Sequence, residues 1–309
     1  MHPMVHWLTI FFLITFSILL LIPPDILLFK QLTKYATHWM FLCIGFGLIF
    51  MLLDINSLLF VSFACAATIA LFLHSSFNSA ILLAGDNKDE STFSVLYVNP
   101  NLSKEPLQRT IKSLLKHQAD LIIVDDYHPM VHAASLQLDD IYPYRRNIIL
   151  ENGLGKGMFC KTSVALSDTL HFLFTPSLFV ELNINDSIRL TVGSCSHLLP
   201  ENLHDYHYLS QVLQKLSAKL VNIKDPTILA VNFNIEPWSQ ELRDFKDMAH
   251  LSSSRRENNE GVHNKSILSA LTVPGGEILI NQKVECSHFS IVSDEQNIPI
   301  GLFGKYKIR

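Results

Sequence analysis

TILAVNFNIEPWS, residues Thr227 to Ser239, decides how the rest of this chain is read. The apolar run Ile228 to Val231 has the length and composition of a buried strand, and it delivers polar Asn232 and Asn234 at its carboxyl end. Pro237 then keeps a helix from starting at once. With a side-chain period of two, Phe233 points back into a core while Asn232 and Asn234 share the other face. In layered α/β architectures, ligands sit at that end of the strands.

The flanking segments follow the same scheme, alternating strand-like and helix-like character over about 220 residues, which suits one α/β domain. Phe93–Val98 reads as a strand ending at Asn99, and Glu105–His117 as a helix with Leu107, Ile111, Leu114 and Leu115 on one face. Ala119–Asp126 is a strand ending in two carboxylates. Ile188–Ser196 is another, reaching His197 and Pro200, and Asp205–Leu220 is a helix that packs on the sheet. Leu251–Lys265 reads as a polar loop, and short strands at Glu277–Ile280, Phe289–Val292 and Ile300–Ile308 close the chain.

The central stretch resembles the G-D-F-N-x-x-P-W-S segment of the endonuclease/exonuclease/phosphatase family, metal-dependent phosphoesterases built like pancreatic deoxyribonuclease. Pro237, Trp238 and Ser239 match outright, whereas Asn232 stands where that family writes Asp. Other landmarks follow in order over about 215 residues. The resemblance implies a four-layer α/β/β/α sandwich, with Asn99 a substrate-binding position near the metal and Asp126 in the place of the metal-binding Glu. Tyr142-Pro143-Tyr144-Arg145 is similar to the family's Y-P-Y segment, which assigns Tyr144 and Arg145 to substrate binding. His197 and Pro200 fall on a His-x-x-Pro landmark, with the His near the phosphate. The final Ser-Asp-His-x-Pro landmark falls on Ser293 to Pro299, with Asp294 in its Asp position and Glu295 in its His position. A rival register through Cys286-Ser287-His288 leaves 21 residues after the His, too many for one terminal strand.

The front of the chain has a different composition, and it accounts for a mean hydropathy of +0.25. Val5–Ile22, Trp39–Leu53 and Leu58–Leu73 are apolar runs free of Asp, Glu, Lys and Arg, and as helices they measure roughly 22 to 27 Å against a bilayer core of about 30 Å. They read as three transmembrane helices, at about 5–22, 36–53 and 57–74, within a membrane region 1–84. A linker 85–91 and a domain 92–309 follow. The first run lacks the basic flank and small-residue cleavage site of a signal peptide. Pro23–Lys34 reads equally as an interfacial segment or as a connecting loop. Lys30 and Lys34 favour a cytoplasmic side for that loop and for the domain, whereas membrane-anchored members of the resembled family commonly carry the domain outside the cytoplasm, so the side stays open.

Removing the two lysines and two aspartates of residues 1–85 leaves 22 bases against 26 acids, which provides no strong nucleic-acid footprint. Cys160, Cys195 and Cys286 are spaced as neither a disulfide framework nor a metal motif. The resemblance implies Mg²⁺ or another divalent cation, a phosphate-containing ligand, and proton transfer by the Asp of G-D-F-N and a His. Asn232 cannot accept a proton, and losing general acid–base catalysis costs about 10²- to 10⁴-fold. Asn232, Asn234, His197, Asp294 and Glu295 are the catalytic-position candidates. Three functions remain open: a membrane-anchored binding or scaffolding domain, an active hydrolase with an altered site, and a function carried by the spans alone. The oligomeric state is not legible.

Overall fold

The computed structural model describes residues 3–75, 92–172, 175–185, 188–255 and 276–308. The linker 85–91 and all of the expected polar loop beyond residue 255 lie outside the described residues.

Among the described residues, three helices are long and apolar enough to cross a membrane. They are α1 (Pro3–Leu21), α3 (Ala36–Leu52), which continues a short helix α2 (Leu27–Leu32) through a 3-10 turn at Thr33–Tyr35, and α4 (Asn56–Ser75). The whole path Leu27–Leu52 is 26 residues, or about 39 Å of helix. Leu13, Leu20, Trp39, Cys43, Cys65 and Ile69 fill the core between these helices, and the Trp39 indole N–H donates to the Ser17 hydroxyl at 3.0 Å.

The described residues of the domain form two six-stranded sheets. In the first, β1 (Thr92–Val98) and β2 (Leu121–Asp125) lie parallel at the centre, flanked by β11 (Val284–Ser293) and β12 (Pro299–Ile308) on one side and β4 (Lys156–Cys160) and β3 (Tyr144–Ile148) on the other. In the second, β7 (Arg189–Ser196) and β8 (Thr227–Asn232) form the parallel centre. Beside them run the hairpin β5 (Val164–Phe172) and β6 (Thr175–Asn183), and on the far side β10 (Glu277–Asn281) and β9 (Leu251–Ser253). The β5–β6 hairpin and β9 are elements the sequence pattern did not isolate. β9 takes the first three residues of the expected loop, pinned by pairing with β10.

Period-two alternation sorts the strand residues into layers. Val95, Leu121, Ile123, Val192, Ile228, Ala230 and Ile278 point between the sheets. Leu96, Ile122 and Val124 pack outward on α5 (Leu107–Leu114) and α6 (Pro129–Ser135). Leu229, Val231 and Phe233 do the same on α7 (Leu203–Leu220) and α8 (Gln240–Met248). This is a four-layer α/β/β/α sandwich. Each central parallel pair is joined by a helical crossover, so the carboxyl ends of β1, β2, β7 and β8 gather at one rim.

Candidate functional site

At that rim the alternation of β2 decides which carboxylate turns inward. Leu121 and Ile123 face the space between the sheets, so Asp125 faces it too and is 2% exposed. β4 runs antiparallel to β2 and places Lys156 directly opposite Asp125. Gly155 lets β4 begin there, because any Cβ at that position would strike the Tyr127 carbonyl. The Lys156 ammonium donates to Asp125 Oδ1 at 2.6 Å and to the Ser196 hydroxyl across the gap between the sheets. Asp125 Oδ2 accepts from the Tyr97 hydroxyl at 2.9 Å and from Asn232 Nδ2 at 3.1 Å.

Five strands thus meet in one buried polar hub. A fully buried ammonium and carboxylate are tolerable only when paired and hydrogen-bonded, and each is. Burial, with the Asp125 charge second, holds the Tyr97 hydroxyl well above its ordinary range. Burial pushes the adjoining Cys195 thiol up to about 12, so at neutral pH it is neither a nucleophile nor a metal-binding thiolate.

The residues singled out in the sequence are distributed unevenly around this hub. Asn232 enters it directly. Asn234, in the left-handed region at φ 53°, donates from Nδ2 to the His197 carbonyl at 2.7 Å, and the His197 N–H donates to the Asn232 carbonyl at 2.9 Å. The His197 ring is turned toward its own loop, with Nδ1 donating to the Leu198 carbonyl at 2.8 Å and the Tyr208 ring tilted against it, centroids 5.5 Å apart. Asn99 caps the turn after β1 by accepting the Asn101 N–H. Asp126 stands one residue beyond the inward Asp125, at φ 54° and half-buried, and accepts from Asn101 Nδ2 at 2.8 Å. Asn99, Asp126, Asn232, Asn234 and His197 therefore share the rim.

The remaining candidates stand off the hub, although Asp294 and Glu295 sit in the β11–β12 turn, which lies at the carboxyl end of β1 beside Asn99. Asp294 closes its own loop, accepting the Gln296 and Ile298 N–H groups and the Ser103 hydroxyl. Glu295 is exposed and faces Lys116 at 3.9 Å. Tyr144 and Arg145 start β3 at the opposite end of the sheet. Ile148 pairs with Lys156 but Tyr144 with Cys160, an offset of four residues or about 13 Å. There Arg145 is paired to Asp139 at 2.7 Å. Tyr97, Asp125, Lys156 and Ser196 escaped sequence reading. Period two from Ile123 would have identified Asp125; Lys156 needed the β2–β4 register.

No family model matches the sequence, and no curated protein matches it either. Solved structures do match the fold. A zebrafish (D. rerio) TDP2 complexed with single-strand DNA product aligns with TM-score 0.56 and 13% identity over 71% of this chain and all of that one. An endonuclease/exonuclease/phosphatase from Beutenbergia cavernae aligns with TM-score 0.55 and 12% identity, covering 70% and 72% of the two chains. The human Nocturnin catalytic domain with bound sulfate aligns with TM-score 0.52 and 12% identity, covering 71% and 96%. The domain has the endonuclease/exonuclease/phosphatase fold.

The donors at the rim do not fit the divalent cation that this fold resemblance implies. Asp125, the carboxylate at the hub, is neutralised by Lys156, and Asp126 has an amide donor seated on its Oδ2. Among the described residues no three His, Cys, Asp or Glu side chains come together. A hard cation wants several oxygen ligands, carboxylates first among them.

Proposed function

We propose that this protein is anchored in a bilayer by α1, α3 and α4, and that its endonuclease/exonuclease/phosphatase-fold domain binds a phosphate-containing ligand, or scaffolds a partner, without hydrolysing it. The observation that carries this reading is the Lys156–Asp125 pair, which puts a covalently attached cation against the hub carboxylate. Asn232 supports it further. Its amide donates into Asp125, so at that position it stands as a hydrogen-bond donor with no carboxylate to take a proton from water.

Three crossings place the domain on the same side as α2. Lys30 there is bound to Glu241 at 2.6 Å and to Asp25 at 3.4 Å, so it says little about which side that is.

The test is phosphoesterase turnover by the full chain in phospholipid nanodiscs, with Mg²⁺ or Mn²⁺, on a panel of phosphomonoesters and phosphodiesters. No metal-dependent turnover is expected. Turnover that disappears in Asp126→Ala would replace this reading with that of an active hydrolase working from the rim.

A further inference from the structure

The carboxyl end of the central stretch is bolted to the apolar helices. The Trp238 indole N–H donates to the Thr33 carbonyl at 2.9 Å, and its ring joins the core between α1, α3 and α4. Arg243 on α8 lies 4.6 Å from the Phe72 ring near the end of α4. Between this bolt and the strand-end rim lies a recess of roughly 170 Å³, bordered by Lys30, Lys34, Leu199, Tyr206, Asn234 and Glu236.

Its depth in a bilayer follows from length. The Leu27–Leu52 path exceeds a hydrocarbon core of about 30 Å by about 9 Å. The surplus belongs at its beginning, where Lys30 and Lys34 sit, which puts the recess at headgroup level. Leu199 on its border is exposed, and so are Ile22, Ile26, Leu28 and Leu198 on the segments that supply its lining.

The charges in the recess are unevenly used. Lys30 is occupied by Glu241 and Asp25, and its ammonium lies over the Tyr206 ring at 5.2 Å. Lys34 is exposed and forms no ion pair among the described residues, resting 5.0 Å from the Tyr35 ring. Glu236 is half-buried. Burial pushes its carboxyl above the ordinary range while Lys34 pulls it back, so the two attract each other without meeting. Among the described residues, a cation and a carboxylate that form no ion pair line one small cavity, and they complement a ligand that carries an anion and a cation a few bonds apart.

We propose that this recess takes the headgroup of a zwitterionic phospholipid from the surrounding bilayer, its phosphate on Lys34 and its ammonium on Glu236. The inference rests on the membrane-anchored part of the proposed function and is independent of whether the rim catalyses anything.

The test uses the full chain reconstituted in vesicles containing phosphatidylcholine with equal parts phosphatidylethanolamine and phosphatidylglycerol, then released into detergent for native mass spectrometry. A phosphatidylethanolamine adduct at least five-fold above the phosphatidylglycerol adduct is expected. Lys34→Ala and, without change of shape, Glu236→Gln should each reduce it five-fold or more. Equal adducts of the two lipids, or full adduct in both variants, would overturn the proposal. So would displacement of the lipid by millimolar phosphoethanolamine, which would make the ligand a soluble one. Carbonate washing of the vesicles separates the two levels: a chain that washes off defeats the anchor itself, whereas an inserted chain without lipid preference defeats only the headgroup site.

Discussion

Two lysine–carboxylate pairs flank the stretch Thr227–Ser239, and both close at 2.6 Å. Lys156–Asp125 lies at the rim of the sandwich with side chains 0% and 2% exposed, and Lys30–Glu241 lies at the joint with the apolar helices at 14% and 9%. Asn232 reaches into the first pair, and Trp238, three residues before Glu241, packs beside the second. Equal geometry conceals unequal consequence. The first pair has given up all of its water and depends on its partners; the second keeps part of its hydration and can lose a partner at modest cost.

The largest expected effect is therefore at the hub. Lys156→Ala leaves Asp125 charged, buried and short of its cation, and should cost about 3–5 kcal/mol. For a domain of this size that is a fall in Tm of roughly 6–20 °C, read by thermal unfolding of the full chain in detergent. Replacing both partners, Lys156→Met with Asp125→Leu, should recover most of the loss, because an apolar pair of similar volume carries no stranded charge. A double variant no better than Lys156→Ala would show that the hub is held by packing around Ser196 and Tyr97 rather than by charge.

At the joint, Trp238→Phe keeps most of the buried ring but removes the N–H donor to Thr33, at an expected cost of about 1–2 kcal/mol. Hydrogen exchange at the α2–α3 connection should rise in this variant while β8 stays protected. Smaller again is Lys30→Ala, expected to cost about 1 kcal/mol and to weaken with added salt. A loss as large as that of Lys156→Ala would abolish the distinction between the two pairs.

Much of this was legible in the sequence, for reasons tied to particular residues. Of the central parallel strands, β1, β2 and β8 announced themselves as short apolar runs leading to Asn or Asp, β7 leads to Ser196 and His197, and the outward packing helices showed 3.6-residue spacing, as in Leu209, Val212, Leu213, Leu216 and Leu220. The resemblance added the layering. What stayed hidden depended on pairing. Lys156 lies among Gly153, Gly155 and Gly157, and nothing local singles it out until the β2–β4 register sets it against Asp125. Between Asp125 and Asp126, a likeness of order selected the second, while the alternation from Ile123 turns the first inward. Trp238 matched a motif, and nothing local showed that its ring would enter the core of helices some two hundred residues earlier. The β5–β6 hairpin escaped because its strand β5 exposes residues on both faces, Ala165 to Thr169 all being exposed.

A third carboxylate completes the comparison, since among the described residues Asp294 is held by hydrogen bonds and by no lysine. Burial raises its pKa, but hydrogen bonds from the Ile298 N–H, the Ser103 hydroxyl and the Gln296 and Lys104 N–H groups outweigh this and hold it below the usual carboxylate value. A depressed pKa in the folded state means that the unfolded chain takes up the proton first. The stabilisation is thus fully present above the ordinary Asp value of about 3.9 and is lost as pH falls through the folded value. Asp294→Asn keeps the oxygen acceptor but not the charge, so near neutral pH it should cost only about 0.5 kcal/mol. The gap between wild type and variant should stay constant above about pH 5 and close below about pH 4. A gap that instead widens on acidification would mean that the loop prefers a protonated Asp294, and hydrogen-bond donors without a cation would then not suffice to hold a carboxylate charged in this fold.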